Sequence, residues 1–342
     1  MAMSEITIAG AGIFGLSLAF VLLGRGAKVH VYDKGAIGQG ASGGLVGALA
    51  PHTPDNWNDK KEFQFQSLLK TPNFWRDVDA ISGLSSGYAR TGRLQVVDQP
   101  RELENARLRE EGAVEFWRNH AEWQVLGPGF DPFWQLDPGK TLVRDTLSAL
   151  IAPRAAITSL AEAVRLRGGK ITENTAAPEN PMGPLVLANG YQGLIDQGLG
   201  NGQKGQGALL AFDARGRAQV FGDGVHIIPH LDGTVAVGST SENDWRTMAT
   251  DELIVPIIEK ARTLCPELAN ARVIECWAGV RPRGRRRAPI LGLLPGQKDR
   301  YIANGGFKIG FGVAVEAAER LADLVLEGRD TIPQSFRPEA NL

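Results

Sequence analysis

Gly10-Ala11-Gly12-Ile13-Phe14-Gly15 fits G-x-G-x-x-G, and its surroundings leave the chain few options. Ile6–Ala9 before it reads as a short apolar strand. Leu16–Leu23 after it has the pattern of a helix, which Gly24 and Gly26 should end. Val29–Tyr32 reads as the next strand and stops at Asp33. A strand–helix–strand unit this compact, about 30 residues, belongs in a parallel sheet covered by helices. Gly10 permits the tight turn, Gly12 lets backbone N–H groups reach a pyrophosphate, and Gly15 lets the helix pack close. The helix N-terminus adds partial positive charge for the phosphates. Asp33 can accept from ribose hydroxyls, which disfavours a 2′-phosphorylated dinucleotide. Ile13, Phe14 and Lys34 are expected at the same site.

A second small-residue stretch follows the acid, Gly38-Gln39-Gly40-Ala41-Ser42-Gly43-Gly44-Leu45-Val46-Gly47. A nicotinamide enzyme has no need of it. An FAD has an extended ribityl chain and a flavin that such a loop can close over, so Ala41, Ser42, Gly43, Gly44, Gly47 and Ala48 are expected cofactor contacts. A third stretch joins a strand at Arg300–Ala303 to a final helix at Val313–Glu327. It holds Gly305, Gly306, Phe307, Lys308, Ile309 and Gly310. The N-terminus of that helix would face negative charge on a reduced flavin.

The rest of the chain frames these pieces. Its 342 residues suggest two domains at about 150 residues each. Strands expected at Arg93–Val97, Lys170–Thr172, Leu185–Ala188, Ala208–Phe212, Val225–Pro229 and Thr234–Val237 alternate with helices at Arg101–Asn119, Ile157–Arg167 and Asp251–Cys265. Both domains should therefore be built from separate chain segments. A net charge of −1 argues against nucleic acid as a partner. No apolar run is long enough to span a membrane. Met1–Glu5 carries an acid and no base, unlike a secretory signal, so a cytoplasmic location is expected. The two cysteines, Cys265 and Cys276, make neither a disulfide framework nor a zinc site, and no metal is expected. The 42 glycines have no period, which excludes collagen.

Taken together, the three glycine-rich pieces resemble the D-amino-acid oxidase superfamily of FAD-dependent oxidoreductases, nearest to glycine oxidases and D-amino-acid dehydrogenases. Further matching strings are Gly47-Ala48-Leu49-Ala50-Pro51, Leu185–Gly190, Val237-Gly238-Ser239-Thr240 and Ala278-Gly279-Val280-Arg281-Pro282. The resemblance implies an α/β fold with an α+β substrate lobe. A Rossmann-like FAD-binding domain of the glutathione-reductase type would be interleaved with a substrate domain on an antiparallel sheet. The expected boundaries are 1–56, 140–203 and 277–342 for the FAD domain, and 57–139 and 204–276 for the substrate domain. It adds Asn189, Gly190 and Gly279 to the cofactor site, and makes Arg281 the partner of a substrate carboxylate, a role that suits a guanidinium fork. His52 would lie near the flavin.

The chain also departs from the family pattern. Gly306 and Lys308 stand where glycine oxidases usually have histidine and arginine. His226 replaces a substrate-facing tyrosine, and Arg286 an acid. Most of a β-meander is missing between Thr175 and Pro184. Of the other histidines, His30 reads as packing, His120 as helix surface and His230 as exposed.

The activity implied is oxidation of the C–N bond of a small amino acid (a D-amino acid, glycine or an N-alkyl glycine) by hydride transfer to flavin. The imine would hydrolyse to a 2-oxo acid. Neither cysteine falls in the glycine-rich pieces, so the FAD should be non-covalent. A dehydrogenase of a 2-hydroxy acid or a modified-tRNA amine, and a catalytically idle FAD-binding protein, stay open. So does the electron acceptor, oxygen or another.

Overall fold

The computed structural model describes residues 5–97, 99–127, 129 and 134–342. Residues 1–4, on which most of the leader reading rested, lie outside them. The chain opens as expected: β1 (Ile6–Ala9), α1 (Ile13–Gly24) and β2 (Val29–Tyr32), with β1 and β2 parallel. A two-residue strand, β3 (Ala48–Leu49), leads to α2 (Asp59–Ser82), a 24-residue helix that the sequence pattern does not reveal. Asn58 caps α2 by accepting from the Lys60 and Lys61 N–H groups, at 3.1 and 3.2 Å. Pro72 lies inside it and cannot donate to the Leu68 carbonyl four residues back. Arg90 donates to that carbonyl instead, so the helix runs on.

The chain continues through β4 (Arg93–Val97), α3 (Pro100–Phe116), β5 (Trp123–Leu126), β6 (Thr141–Asp145), β7 (Ala149–Leu150), α4 (Pro153–Leu166) and β8 (Lys170–Thr172). His120 is exposed in the turn after α3 rather than on the helix. The described residues between β8 and β9 (Leu185–Leu187) form no strand. Next come α5 (Gly190–Asp196), β10 (Gly200–Ala211), β11 (Gln219–Gly222), β12 (Val225–Pro229), β13 (Thr234–Gly238) and α6 (Ile254–Leu264). Last are β14 (Arg272–Gly284), β15 (Ile290–Leu293), β16 (Arg300–Asn304) and α7 (Gly310–Glu327).

Two large sheets organise these elements. One has six strands in the order β15-β16-β9-β1-β2-β8, parallel except for the β15–β16 pair. Its core packs Ile6, Ile8 and Val186 against Leu16 and Leu18 of α1, Leu160 of α4 and Leu321 of α7. Phe63, Phe65 and Trp75 of α2 join that same core. The other sheet has eight strands in the order β14-β10-β13-β12-β11-β4-β6-β5. It is antiparallel apart from the β11–β4 pair, so the expected antiparallel sheet is in fact mixed. Its core packs Val220, Ile227 and Val237 against Ile258 and Ala261 of α6.

Strand β10 starts eight residues before the expected strand at Ala208, because Gly200–Ala211 pairs with β14 along its whole length. Glycines weaken an isolated strand. Here the long partner supplies the ladder that propensity does not. The β4–β6 contact buries an ion pair, Arg93 Nε to Asp145 Oδ2 at 2.9 Å, and Asp145 also accepts the Ser148 N–H and hydroxyl.

Candidate functional site

Ligands of open α/β sheets bind outside the carboxyl ends of the strands. Here a cavity of about 770 Å³ opens at that place. Ala9, Ala188 and Ala303, at the ends of β1, β9 and β16, line one side. Gly205, His226, Ser239 and Arg281, from the eight-stranded sheet, line the other.

The fingerprint builds one end of it. Gly10 has φ +119°, and a Cβ there would sit 2.3 Å from the Ala188 carbonyl oxygen. A Cβ on Gly15 would sit 1.9 Å from the Gly10 carbonyl oxygen, so both positions require glycine. No side chain caps α1 at Gly12, and no acid lies in its first turn. The Ser42 hydroxyl accepts the Ile13 N–H at 3.0 Å, which ties the second glycine-rich loop to the first. Asp33 is held at the mouth of the turn by the Ala11 and Gly35 N–H groups, at 2.7 and 2.8 Å. Asn189 lines the cavity with its Oδ1 buried and unpartnered, a cost that a ligand donor would remove. At the other end, α7 also begins uncapped and without an acid, and Gly310 and Phe311 reach the wall. An α1 N-terminus whose first N–H alone is taken, by Ser42, an uncapped α7 N-terminus, a ribose-type acceptor and an orphaned amide oxygen on one cavity fit an extended anionic dinucleotide.

Of the other expected contacts, Gly12, Phe14, Lys34, Ala41, Gly44, Gly47, Ala48, Gly190, Gly306, Phe307, Lys308 and Ile309 also line the cavity. Gly15, Gly43, Gly279 and Gly305 do not. Gly15 and Gly43 pack against the Gly10 and Gly38 carbonyls, and the Trp277 ring covers Gly279. The Gly305 N–H turns to the Asn304 side chain at 2.8 Å.

Arg281 occupies the opposite wall. Gly205, on the adjacent strand, leaves room for its guanidinium: a Cβ there would lie 1.9 Å from Nη2. The guanidinium donates to Ser239 Oγ at 2.6 Å, to the Thr240 carbonyl at 3.2 Å and to the Lys204 carbonyl at 3.3 Å. Burial lowers its pKa, and among the described residues no carboxylate pairs with it. A guanidinium on the cavity wall with no carboxylate partner among the described residues has the chemistry to take up a carboxylate.

Lys308 donates to Ser241 Oγ at 2.8 Å. Its pKa is lowered by burial and by the nearby cations Arg281, Arg287 and Arg283. His226 lies tilted against Phe221 (ring centroids 4.6 Å apart) with its Nδ1 sealed and unpartnered. Burial, then Arg93 and Lys308, push its pKa down to about 3, so it is neutral at pH 7. His52 also lines the cavity; its backbone N–H and Nδ1 both meet Gln64 Oε1. Burial and Lys60 bring it down to about 4.

His230, expected to be exposed, is buried at 5% exposure, because the β12–β13 hairpin folds Thr234 back onto it. His30 packs as expected, stacked on Tyr32 at 4.0 Å. Neither cysteine lines the cavity. Sequence reasoning missed Trp277, whose ring walls the cavity beside Gly44. Its signal was the two-residue period that puts 277, 279 and 281 on one face of a strand. It also missed Phe221, Gln206 and Arg93, which no motif marks.

A family model described as "DAO: FAD dependent oxidoreductase" matches residues 5–324. The chain is 25% identical to a glycine oxidase of Bacillus licheniformis over 94% of this chain and 93% of that protein. It is 26% identical to a glycine oxidase of Pseudomonas putida over 99% of each. Among solved structures, glycine oxidase from Geobacillus kaustophilus superposes with a TM-score of 0.86 at 20% identity, covering 98% of both chains. Iminodiacetate oxidase from Chelativorans superposes at 0.84 and 23% identity, covering 97% of this chain and 98% of that one.

Proposed function

The chain belongs to the FAD dependent oxidoreductase family, and on that premise we propose that it oxidises the C–N bond of a small amino acid whose carboxylate is held by Arg281. Glycine, an N-alkyl glycine or a D-amino acid is the substrate class. The observation that carries the reading is the Arg281 guanidinium, fixed by three hydrogen bonds on the cavity wall with no carboxylate partner among the described residues.

In this reading the α1 N-terminus and Ser42 serve the pyrophosphate, Asp33 the ribose and the α7 N-terminus the flavin end. Bound there non-covalently, FAD supplies a two-electron acceptor for the hydride that leaves the substrate Cα. Arg281 fixes the carboxylate and so fixes where Cα–H points, which is catalysis by positioning. The amine must react in its neutral form. The positive field of Arg281 and Lys308 disfavours an ammonium beside them, which lowers the substrate's pKa. His226, itself neutral, can accept an amine N–H. The imine left after loss of the hydride, and of an N–H proton to water, is hydrolysed to a 2-oxo acid and ammonia, or the alkylamine where the substrate is an N-alkyl glycine.

We propose a division into lobes that follows the sheets: the six-stranded sheet forms the FAD lobe and the eight-stranded sheet the substrate lobe. Thr141–Asp145 then belongs with the substrate lobe and α2 packs on the FAD lobe.

A 2-hydroxy acid would use the same arginine, but its hydroxyl proton needs a base. His226, with a pKa pushed down to about 3, is a poor one. Anaerobic mixing with glycine, sarcosine, D-amino acids and 2-hydroxy acids tests the reading. Bleaching of the flavin by the amino acids supports it. Bleaching by hydroxy acids alone, or by nothing in the panel, overturns it.

A further inference from the structure

We propose that the preferred substrate is dianionic, a short amino acid carrying a second carboxylate that Lys308 binds while Arg281 binds the first. The inference rests on the reading of Arg281 given above and goes one step further.

Two cationic heads share one short piece of backbone. Arg281 donates to Ser239 Oγ at 2.6 Å and to the Thr240 carbonyl at 3.2 Å. Lys308 donates to Ser241 Oγ at 2.8 Å. The Cα atoms of Ser239 and Ser241 lie about 7 Å apart at most, and the Arg281 charge acts directly on Lys308, so the two heads are neighbours on one side of the cavity. A second link fixes the same arrangement. The Phe307 N–H, next to Lys308, donates at 3.0 Å to the carbonyl of Pro282, next to Arg281. Both Lys308 and Arg281 line the cavity.

The positive charge here is not compensated. Among the described residues, neither Arg281, Arg283, Arg287 nor Lys308 is in an ion pair, whereas Lys204 on the adjacent strand β10 pairs with both Glu242 and Asp251. Glu242 is the acid that acts on Arg281 from a distance, and it is already engaged by Lys204, Gln206 and Thr240. Arg283 and Lys308 both lie over the Phe307 ring, each 5.8 Å from its centre. The whole chain has a net charge of −1, so this concentration is local. One carboxylate on Arg281 would leave Lys308 unanswered at the same cavity. A second carboxylate answers it, and the lowered lysine pKa rises again once an anion arrives.

The test uses equilibrium binding to the FAD-loaded protein. Diglycolate and methoxyacetate are a diacid and a monoacid with an ether oxygen in place of nitrogen, so neither has a C–N bond to oxidise. Calorimetry should show diglycolate binding at least about tenfold tighter at about 20 mM salt, with the gap narrowing at about 200 mM. In Lys308→Gln the gap should shrink to less than about threefold. This variant removes one exposed head bonded only to Ser241, so the fold is not at stake. Equal affinity of the two acids for the wild type, or a gap that survives Lys308→Gln, overturns the proposal. If sarcosine bleaches the flavin while diglycolate has no advantage, only the second-anion inference falls. If no amino acid of either charge bleaches it, the amino-acid reading falls with it.

Discussion

Gly205→Ala adds one methyl group, and the structure says what that methyl strikes. Its Cβ would lie 1.9 Å from Arg281 Nη2, 2.1 Å from Nη1 and 2.2 Å from Cζ. Ordinary contact needs about 3.5 Å, so the guanidinium must retreat by about 1.5 Å. The obstacle is the far end of a flexible side chain, not backbone, so the sheet can stay as it is. The guanidinium, however, leaves Ser239 Oγ, the Thr240 carbonyl and the Lys204 carbonyl. A misplacement of about 1 Å at a positioning group can cost about 100-fold, or about 2.7 kcal/mol. Anaerobic stopped-flow reduction by the best amino acid should therefore show the second-order constant for flavin reduction falling about 100-fold. Flavin content should stay near that of wild type. A constant within about threefold of wild type would show that the position of Arg281 does not matter to the substrate.

Other outcomes test other parts of the molecule. Gly12→Val puts a branched side chain at the uncapped start of α1, beside Ser42, and should yield folded protein with most of its flavin lost, read from the 450 nm band against protein. A variant with full flavin would mean that the site is elsewhere. Asp145→Ala leaves the buried Arg93 unpaired, and should lower stability by about 3–5 kcal/mol in denaturant titration. An unchanged midpoint would show that the pair contributes nothing. His52 and His226 are held below the ordinary histidine value, at about 4 and about 3. The unfolded chain therefore binds more protons than the folded one below pH about 6.5, and stability falls as pH drops from about 7 towards 4. The urea midpoint should decline across that window, and His226→Asn should flatten the decline; an identical slope in the variant contradicts the burial of a neutral imidazole.

The parts of the fold written in local pattern were readable in advance. The β1–α1–β2 unit, Asp33 at its end and the glycine-rich entry to α7 each depend on neighbours in sequence, and the cavity wall includes most of them. Elements that depend on distant partners were not readable. Helix α2 runs through Pro72, and the Leu68 carbonyl that the proline leaves without a donor is satisfied by Arg90, from another segment. The first eight residues of β10, Gly200 to Gly207, have the composition of a loop and form a strand through their pairing with β14. Its glycines then have a second use, since Gly205 makes the room that Arg281 fills. His230 follows a proline at a strand end, which reads as surface, and only the hairpin closing over it buries it. Trp277 carries no motif of its own, and the face it presents is set by the pairing of β14 with β10.

The proposed hold of Arg281 on the substrate's carboxylate is read directly by anaerobic flavin reduction titrated with substrate in Arg281→Ala and Arg281→Lys. Truncating one member of a buried charge pair costs about 2–5 kcal/mol, or about 30- to several-thousand-fold in binding. Arg281→Ala should keep its FAD and raise the apparent dissociation constant of the amino acid by at least about 30-fold. Arg281→Lys should recover little of it, because a point ammonium cannot replace the fork. Flavin reduction with an unchanged dissociation constant in Arg281→Ala would contradict the account and move the anchor away from this arginine.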